Sequence, residues 1–167
     1  MALETLQDLF LQELHTIYNA ENRILQHLPV LVDAASSSEL RRAYEEELEI
    51  TRLQIRRLEE IYSRLGAQIK QFDSEGIIGL IAEAEKILKT PGDPAVKDAA
   101  LIAVTQRMEH YEVALYASLK NYAHDLGYEE IIQMLQKTAC EEQQRDAALA
   151  EIAEDGLFSG DYSDDGA

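Results

Sequence analysis

Apolar residues recur at helical spacing through nearly all of this 167-residue chain, and that period restricts the folds open to it. Leu, Ile, Phe and Tyr return every three or four residues, as they do along the buried face of an α-helix. No stretch alternates apolar and polar residues in the way that a half-buried strand would. The sequence therefore predicts an all-α fold.

Turn and capping residues divide this pattern into two helical hairpins. In the first hairpin, one helix covers residues 3–34, and Pro29 is expected to kink it or to end its regular part. The serines at 36–38 then supply an N-cap for a second helix, which ends at Gly66. In the second hairpin, Asp93 and Pro94 start the third long helix, and Gly127 turns the chain into the fourth, over 129–153.

The connection between the hairpins holds roughly 25 residues, too many for an up-and-down bundle with short loops. Within it, Asp73 or Ser74 caps a short amphipathic helix that ends at the TPGDP stretch. Two hairpins joined by one long crossover have the connectivity of ferritin-like folds. We predict a ferritin-like four-helix bundle over 1–153, with a short extra helix in the crossover. Residues 154–167 are acidic and Gly-rich, and are predicted to form a mobile tail.

Composition argues against several classes of function. Lys and Arg total 15 against 32 Asp and Glu, a formal charge of −17, which opposes binding to nucleic acid and to anionic membranes. The single cysteine, Cys140, rules out an internal disulfide. The N-terminus lacks the pattern of a signal peptide, and no apolar run approaches the length of a membrane span. We expect a cytoplasmic protein.

Each predicted long helix has at least one acidic residue within its stripe of apolar residues. At 1.5 Å per residue, the glutamates of the first, third and fourth helices fall roughly 22 Å from a bundle end, which is near mid-height. The acid on the second helix lies about one turn from that level. Carboxylates that converge in this way repel one another unless cations neutralise them, and hard metal ions prefer oxygen ligands. The candidate ligands are Glu21, Glu47, Glu109, Glu112, Glu142 and Asp146.

Two other readings of these acids stay open at this point. A glutamate on an apolar stripe can lie at the edge of the stripe and reach water. Alternatively, Arg145 or Arg52 can reach inward and form an internal ion pair. Tyr18 and Tyr116 are candidate neighbours of a metal centre, although an aromatic residue at helical spacing is more often core. The histidines His15, His27, His110 and His124 fall off the apolar stripes, which argues against a His-rich centre.

A strip of small residues on the third long helix, away from the carboxylate stripe, predicts a homodimer. Ala103, Ala114 and Ala117 lie there beside His110, and such a surface permits close approach of a second helix. The alternative is that the short crossover helix packs on the same strip.

Three stretches resemble the YciE/YciF family of bacterial ferritin-like stress proteins: ETLQDLFLQELHTIYNAEN, DPAVKDAALIAVTQRMEHYEVALY and DLGYEEIIQMLQKTACEE. The resemblance covers about residues 3–153. It implies a dimeric ferritin-like bundle related to rubrerythrin and bacterioferritin, with a di-iron site. It supports Glu21 as the ligand of the first helix and Glu142 as that of the fourth. Glu109 and Glu112 match the Glu-x-x-Glu pair on the third.

The sequence departs from the usual di-iron pattern on the second and fourth helices, where ferritin-like proteins carry Glu-x-x-His. Here the corresponding pairs are Glu47-x-x-Ile50 or Glu49-x-x-Arg52, and Glu142-x-x-Arg145. Helical phase favours Glu47 over Glu49. The centre is therefore carboxylate-rich, weakly occupied or lost.

We expect a stress-response protein with two iron ions, or with manganese or a mixed pair, that oxidises Fe(II) with oxygen or peroxide. Tyr18, or another tyrosine near this centre, would relay an electron. The alternative is a metal-free dimeric scaffold whose buried carboxylates pair with arginine.

Overall fold

The computed structural model describes residues 3–70 and 73–154, and these ranges are helical without any strand. Both the all-α prediction and the division into four long helices and one short helix are confirmed. In chain order the helices are α1 (Leu6–Ala34), α2 (Ser38–Leu65), α3 (Glu75–Lys89), α4 (Pro94–Asp125) and α5 (Glu129–Glu154).

Local sequence sets the helix ends close to their predicted positions. Thr5 and Asp8 form a capping box at the start of α1, and the Ser37 side chain accepts a backbone hydrogen bond at the start of α2. Asp93 caps α4 in the same way. Gly66 ends α2 with φ at 62°, a left-handed conformation that glycine adopts without strain.

Two predicted boundaries, at Pro29 and at residue 153, fall within helices of the structure. Helix α1 continues past Pro29 to Ala34, the predicted last residue, so of the two effects expected at this proline the helix does not show an end. The predicted bundle boundary at residue 153 lies one residue before the end of α5. The predicted tail, apart from Glu154, falls outside the described residues.

The four long helices form a closed ring. Helix α1 contacts α2 and α4, and α5 contacts α4 and α2. Helix α3 lies outside this ring against α1 and α4. The ring encloses an apolar core with contributions from every long helix, among them Phe10, Leu14, Ile17, Leu28, Tyr44, Leu58, Leu101, Leu119 and Leu135. The crossover from α2 to α4 contains the predicted extra helix, α3, which packs on the outside of the bundle.

Helix α3 docks closely on α4 through one glycine. A Cβ atom at Gly76 would lie 2.4 Å from a ring carbon of Tyr111, so only glycine fits without displacing that ring. The Tyr111 hydroxyl also lies 2.9 Å from the Ser74 hydroxyl at the start of α3. Ser74 therefore makes a tertiary contact instead of the predicted side-chain cap.

One buried carboxylate ties the α1–α2 turn to α4. The carboxylate of Asp98, 1% exposed, accepts hydrogen bonds from the Ser36 amide at 3.0 Å and from the Ser37 amide at 2.7 Å. It also accepts one from the Ser36 hydroxyl at 2.7 Å. These bonds hold α1, α2 and α4 at a fixed relative height, and so they help to bring the acidic side chains of the three helices to one level.

Candidate metal centre

Five glutamates from the four long helices lie inside the bundle. Each is only 1–3% exposed, so the reading in which such acids reach water from the edge of a stripe is wrong for all five. Each long helix packs an apolar face against the core, and in every case that face includes at least one of these glutamates. We call these residues the carboxylate cluster: Glu21 on α1, Glu47 on α2, Glu109 and Glu112 on α4, and Glu142 on α5.

Three members of the cluster are close enough to share an ion. Glu109, Glu112 and Glu142 each offer a carboxylate oxygen, and these oxygens lie within 4.8 Å of one another. A hard divalent cation binds oxygen at roughly 2.0–2.6 Å, so a single ion can contact all three. We call this place the triad position. The i, i+3 spacing of Glu109 and Glu112 on α4 puts both side chains on the same helical face.

Both carboxylate oxygens of Glu109 are buried and, within the described part of the chain, neither has a hydrogen-bond partner. A buried carboxylate without a donor is strongly unfavourable, because it has lost its hydration without any replacement. Such a group either holds a proton or contacts a cation. The donor set and this unsatisfied side chain both fit a bound metal ion.

A guanidinium group enters the cluster from α5. Arg145, 9% exposed, is the buried cation among the described residues, and it forms an ion pair with Glu47. Its Nε lies 3.6 Å from Oε1 of Glu109, which is too long for a hydrogen bond. Five carboxylates against one guanidinium leave four negative charges without a partner if every glutamate is ionised.

The internal ion pair that sequence analysis left open is therefore present, but through one arginine. Arg145 supplies it, whereas Arg52 lies on the surface and pairs with Glu49. One guanidinium cannot neutralise the cluster, so the ion pair and the metal reading are compatible in this structure.

Neutral hydrogen-bond donors orient two of the glutamates. The Tyr116 hydroxyl donates to Oε1 of Glu21, and the Gln54 amide donates to Oε1 of Glu142. Both donors are themselves buried, at 0% and 1% exposure. Tyr116 lies on α4 one turn beyond Glu112, so the same helical face supplies both a candidate ligand and a donor to another candidate ligand.

Burial raises the pKa of every glutamate in the cluster. It raises the pKa of Glu21 and Glu47 to about 8 and that of Glu142 to about 7. The pKa values of Glu109 and Glu112 also lie well above the ordinary range, because the repulsion of neighbouring carboxylates adds to desolvation. Without a metal ion, protons would therefore neutralise much of the cluster near neutral pH.

Two predicted site residues lie elsewhere. The hydroxyl of Tyr18 donates to Glu59 at 3.1 Å, on the outer side of the α1–α2 pair. Asp146 is 27% exposed and accepts hydrogen bonds from His110 at 2.9 Å and Gln106 at 3.1 Å. The structure does not bring either side chain to the carboxylate cluster. The tyrosine that contacts the cluster is Tyr116, which sequence analysis named beside Tyr18.

One histidine is placed differently from its prediction. His15 is buried at 4% exposure, and its Nδ1 lies 2.6 Å from the hydroxyl of Tyr62. The expectation that it falls off the buried face of α1 is wrong. Its partner is a tyrosine, so His15 does not supply the nitrogen ligand that the cluster lacks.

The small-residue strip on α4 is open in this structure. Ala103, His110, Ala114 and Ala117 are all exposed, so the alternative in which the crossover helix covers the strip is wrong. No described helix combines the length and the apolar character that crossing a bilayer requires.

By its fold this protein is a four-helix bundle with one long crossover, and a cluster of buried glutamates lies at its centre. Comparison with known proteins identifies its family. Residues 5–159 match the family described as a domain of unknown function, DUF892, and the chain belongs to that family. It is 35% identical over 154 residues to protein YciF of Escherichia coli K12, covering 92% of this chain and 93% of that protein. The predicted resemblance is confirmed.

Solved structures show the same fold. The crystal structure of the E. coli stress protein YciF matches with a TM-score of 0.88 and 34% identity, over 91% of this chain and 96% of that one. YcfI of Rhodopseudomonas palustris, for which a structural role has been suggested, matches with a TM-score of 0.86 and 34% identity. That match covers 89% of this chain and 94% of YcfI.

Proposed function

We propose that the carboxylate cluster binds two metal ions, iron or manganese, and that the protein oxidises Fe(II) with oxygen or peroxide. The observation that carries this proposal is the burial of five glutamates around a single guanidinium, with both oxygens of Glu109 unsatisfied. Bound iron would supply the one-electron chemistry that no side chain of the cluster can perform.

The residues of the cluster have separate parts in this proposal. Glu109, Glu112 and Glu142 would hold one ion at the triad position, where their oxygens converge. Glu47 and Glu109 both approach Arg145, so these two carboxylates would hold a second ion. Glu21 completes the oxygen donors, and the Tyr116 hydroxyl holds its orientation. The enclosing apolar core excludes bulk water from the reacting ions.

A metal-free scaffold is the second candidate, and two observations favour it. Arg145 already pairs with Glu47, and burial raises the pKa of the remaining glutamates enough for protons to neutralise them. The suggested structural role of the relative YcfI agrees with this candidate. In that case the cluster is a vestige whose cost the surrounding core offsets.

Metal analysis separates the two candidates. The protein is purified aerobically after growth with added iron, and both its metal content and its Fe(II)-dependent oxygen uptake are measured. We expect at least one ion per chain and oxygen uptake above that of Fe(II) alone. Metal far below one ion per chain, together with no added oxygen uptake, would leave the scaffold as the function.

We also propose a stress-response role in the cytoplasm and a homodimer formed through the small-residue strip of α4. The exposure of Ala103, Ala114 and Ala117 supports the dimer, because no described helix of the same chain covers them. Sedimentation velocity at micromolar concentration is expected to show twice the monomer mass. A single monomeric species would remove the dimer from the proposal.

A further inference from the structure

A groove on the bundle surface exposes Arg145, the arginine that pairs with the carboxylate cluster. It lies between α2 and α5, has a volume of about 190 Å³, and has Arg145 among the residues that line it. Glu46 and Glu141 supply acid to its lining, while Ile50 and Leu149 supply apolar surface. Arg145 is therefore accessible from this groove on one side and contacts Glu47 and Glu109 on the other.

The guanidinium occupies a place where a cation is otherwise expected. It contacts one oxygen of Glu47 and lies 3.6 Å from Glu109, the two glutamates that a second ion beside the triad position would use. We call this the guanidinium position. A planar guanidinium can contact two carboxylates at once, which a hydrated lysine ammonium does less well.

We propose that Arg145 is a gate and an internal counter-cation of the cluster: it occupies the second cation position, and a metal ion coming from the α2–α5 groove binds there only by displacing it. This inference rests on the proposed function and deepens it. The triad position loads first, because among its three carboxylates only Glu109 lies near Arg145 in the described structure, at 3.6 Å. The second ion then competes with a covalently tethered cation for Glu47 and Glu109.

The charge distribution supports a gate at this place. Glu46 in the groove attracts a cation, but Arg145 in the same lining repels one until the guanidinium moves away. The neighbouring Arg57 cannot take over this part, because its guanidinium is fixed to Glu141 by two hydrogen bonds of 2.8 Å and 3.0 Å.

Anaerobic titration with Mn(II) at constant neutral pH tests the gate. Equilibrium dialysis gives the number of ions and their affinities, and electron paramagnetic resonance distinguishes a magnetically coupled pair from isolated ions. For the natural sequence we expect one tight ion and a second that binds at least about tenfold more weakly, within the usual range of coupling between two sites. Arg145→Gln should tighten the second ion by a similar factor and produce the coupled-pair spectrum at lower Mn(II).

Two further variants separate the gate from other effects. Arg57→Gln removes the same charge beside the same groove and is expected to leave both affinities unchanged. Arg145→Lys keeps the charge and guards against a folding defect, and its second affinity should fall between those of the natural sequence and Arg145→Gln. Circular dichroism and the melting temperature of the metal-free variants confirm that each one is folded.

Several results would overturn the gate. If Arg145→Gln and the natural sequence bind two ions with equal affinities, the gate is wrong while the metal centre stands. The same holds if Arg57→Gln tightens the second ion as much as Arg145→Gln, because the effect is then one of general charge. If no folded variant binds Mn(II) and the natural sequence also fails to bind it, both the gate and the proposed function are wrong.

Discussion

Replacing Glu112 by alanine is expected to abolish metal binding. Glu112 is 3% exposed and supplies one of the three carboxylates that converge at the triad position. Substitutions outside the ligand set of a metal site weaken binding by about 10- to 100-fold, so loss of a direct ligand should exceed that range. Equilibrium dialysis of Glu112→Ala against Mn(II) measures the loss.

Two variants act as controls for this substitution. Glu112→Gln keeps the volume of the side chain and removes only its charge, so it should also lose most of the binding. Glu45→Ala removes an exposed acid of α2 and should retain it. The pair shows that the effect comes from the buried carboxylate and not from a small change in the charge of a strongly acidic protein.

In a metal-free scaffold, Glu112→Ala is expected to stabilise the protein. Removing one carboxylate from a crowded buried cluster relieves repulsion, so Glu112→Ala should then raise the melting temperature. The natural protein would also keep its melting temperature after treatment with a chelator. A chelator-insensitive protein that Glu112→Ala stabilises would contradict the metal centre, and the scaffold would be accepted in its place.

The sequence carries most of the fold because the relevant signals are local. Periodicity fixes which residues face the core, and caps such as Ser37, Asp93 and Gly66 fix where helices begin and end. The length of the crossover then selects the connectivity. The same reasoning predicted that Glu21, Glu112 and Glu142 lie near one another inside the bundle, because counting residues from the hairpin turns gives the height of each side chain.

The parts that sequence analysis missed depend on where a side chain points. Tyr18 and Tyr116 both have helical spacing compatible with the centre, but the Tyr18 hydroxyl turns outward to Glu59. Asp146 and Arg145 are adjacent on α5, yet the longer arginine reaches into the cluster and the aspartate turns to His110. Helical phase is a property of the backbone, whereas these choices depend on side-chain length and on tertiary partners.

Without bound metal, the protein is expected to lose stability as the pH rises toward 8. Burial raises the pKa of Glu21 and Glu47 to about 8 and that of Glu142 to about 7, against an ordinary value of 4.5 that applies to the unfolded chain. Between these values the folded state holds protons that the unfolded state has released, so a rise in pH favours unfolding. The stabilisation is complete below pH 4.5 and is lost as the pH passes 7 to 8.

The loss should be large and should show most clearly in the upper part of this range. Each unit of pKa difference corresponds to about 1.4 kcal/mol, so several coupled glutamates change the free energy of unfolding by an amount on the order of several kcal/mol. Burial lowers the pKa of His15 and His27 below 6.5, and these two groups favour folding as the pH rises to that value. Above pH 6.5 this opposing effect of the histidines has ended, and the glutamates lower the stability of the folded state as the pH rises.

Urea denaturation of chelator-treated protein at a series of pH values from 5 to 8 measures this effect. Glu21→Gln removes one titrating group and should make the decline shallower, whereas Glu45→Gln on the surface should leave it unchanged. Protein loaded with Mn(II) should show the opposite trend, because metal binding requires ionised ligands and therefore tightens as the pH rises. If the stability of the metal-free protein is constant or increases above pH 6.5, the cluster is already ionised there, and protons are not what neutralises it.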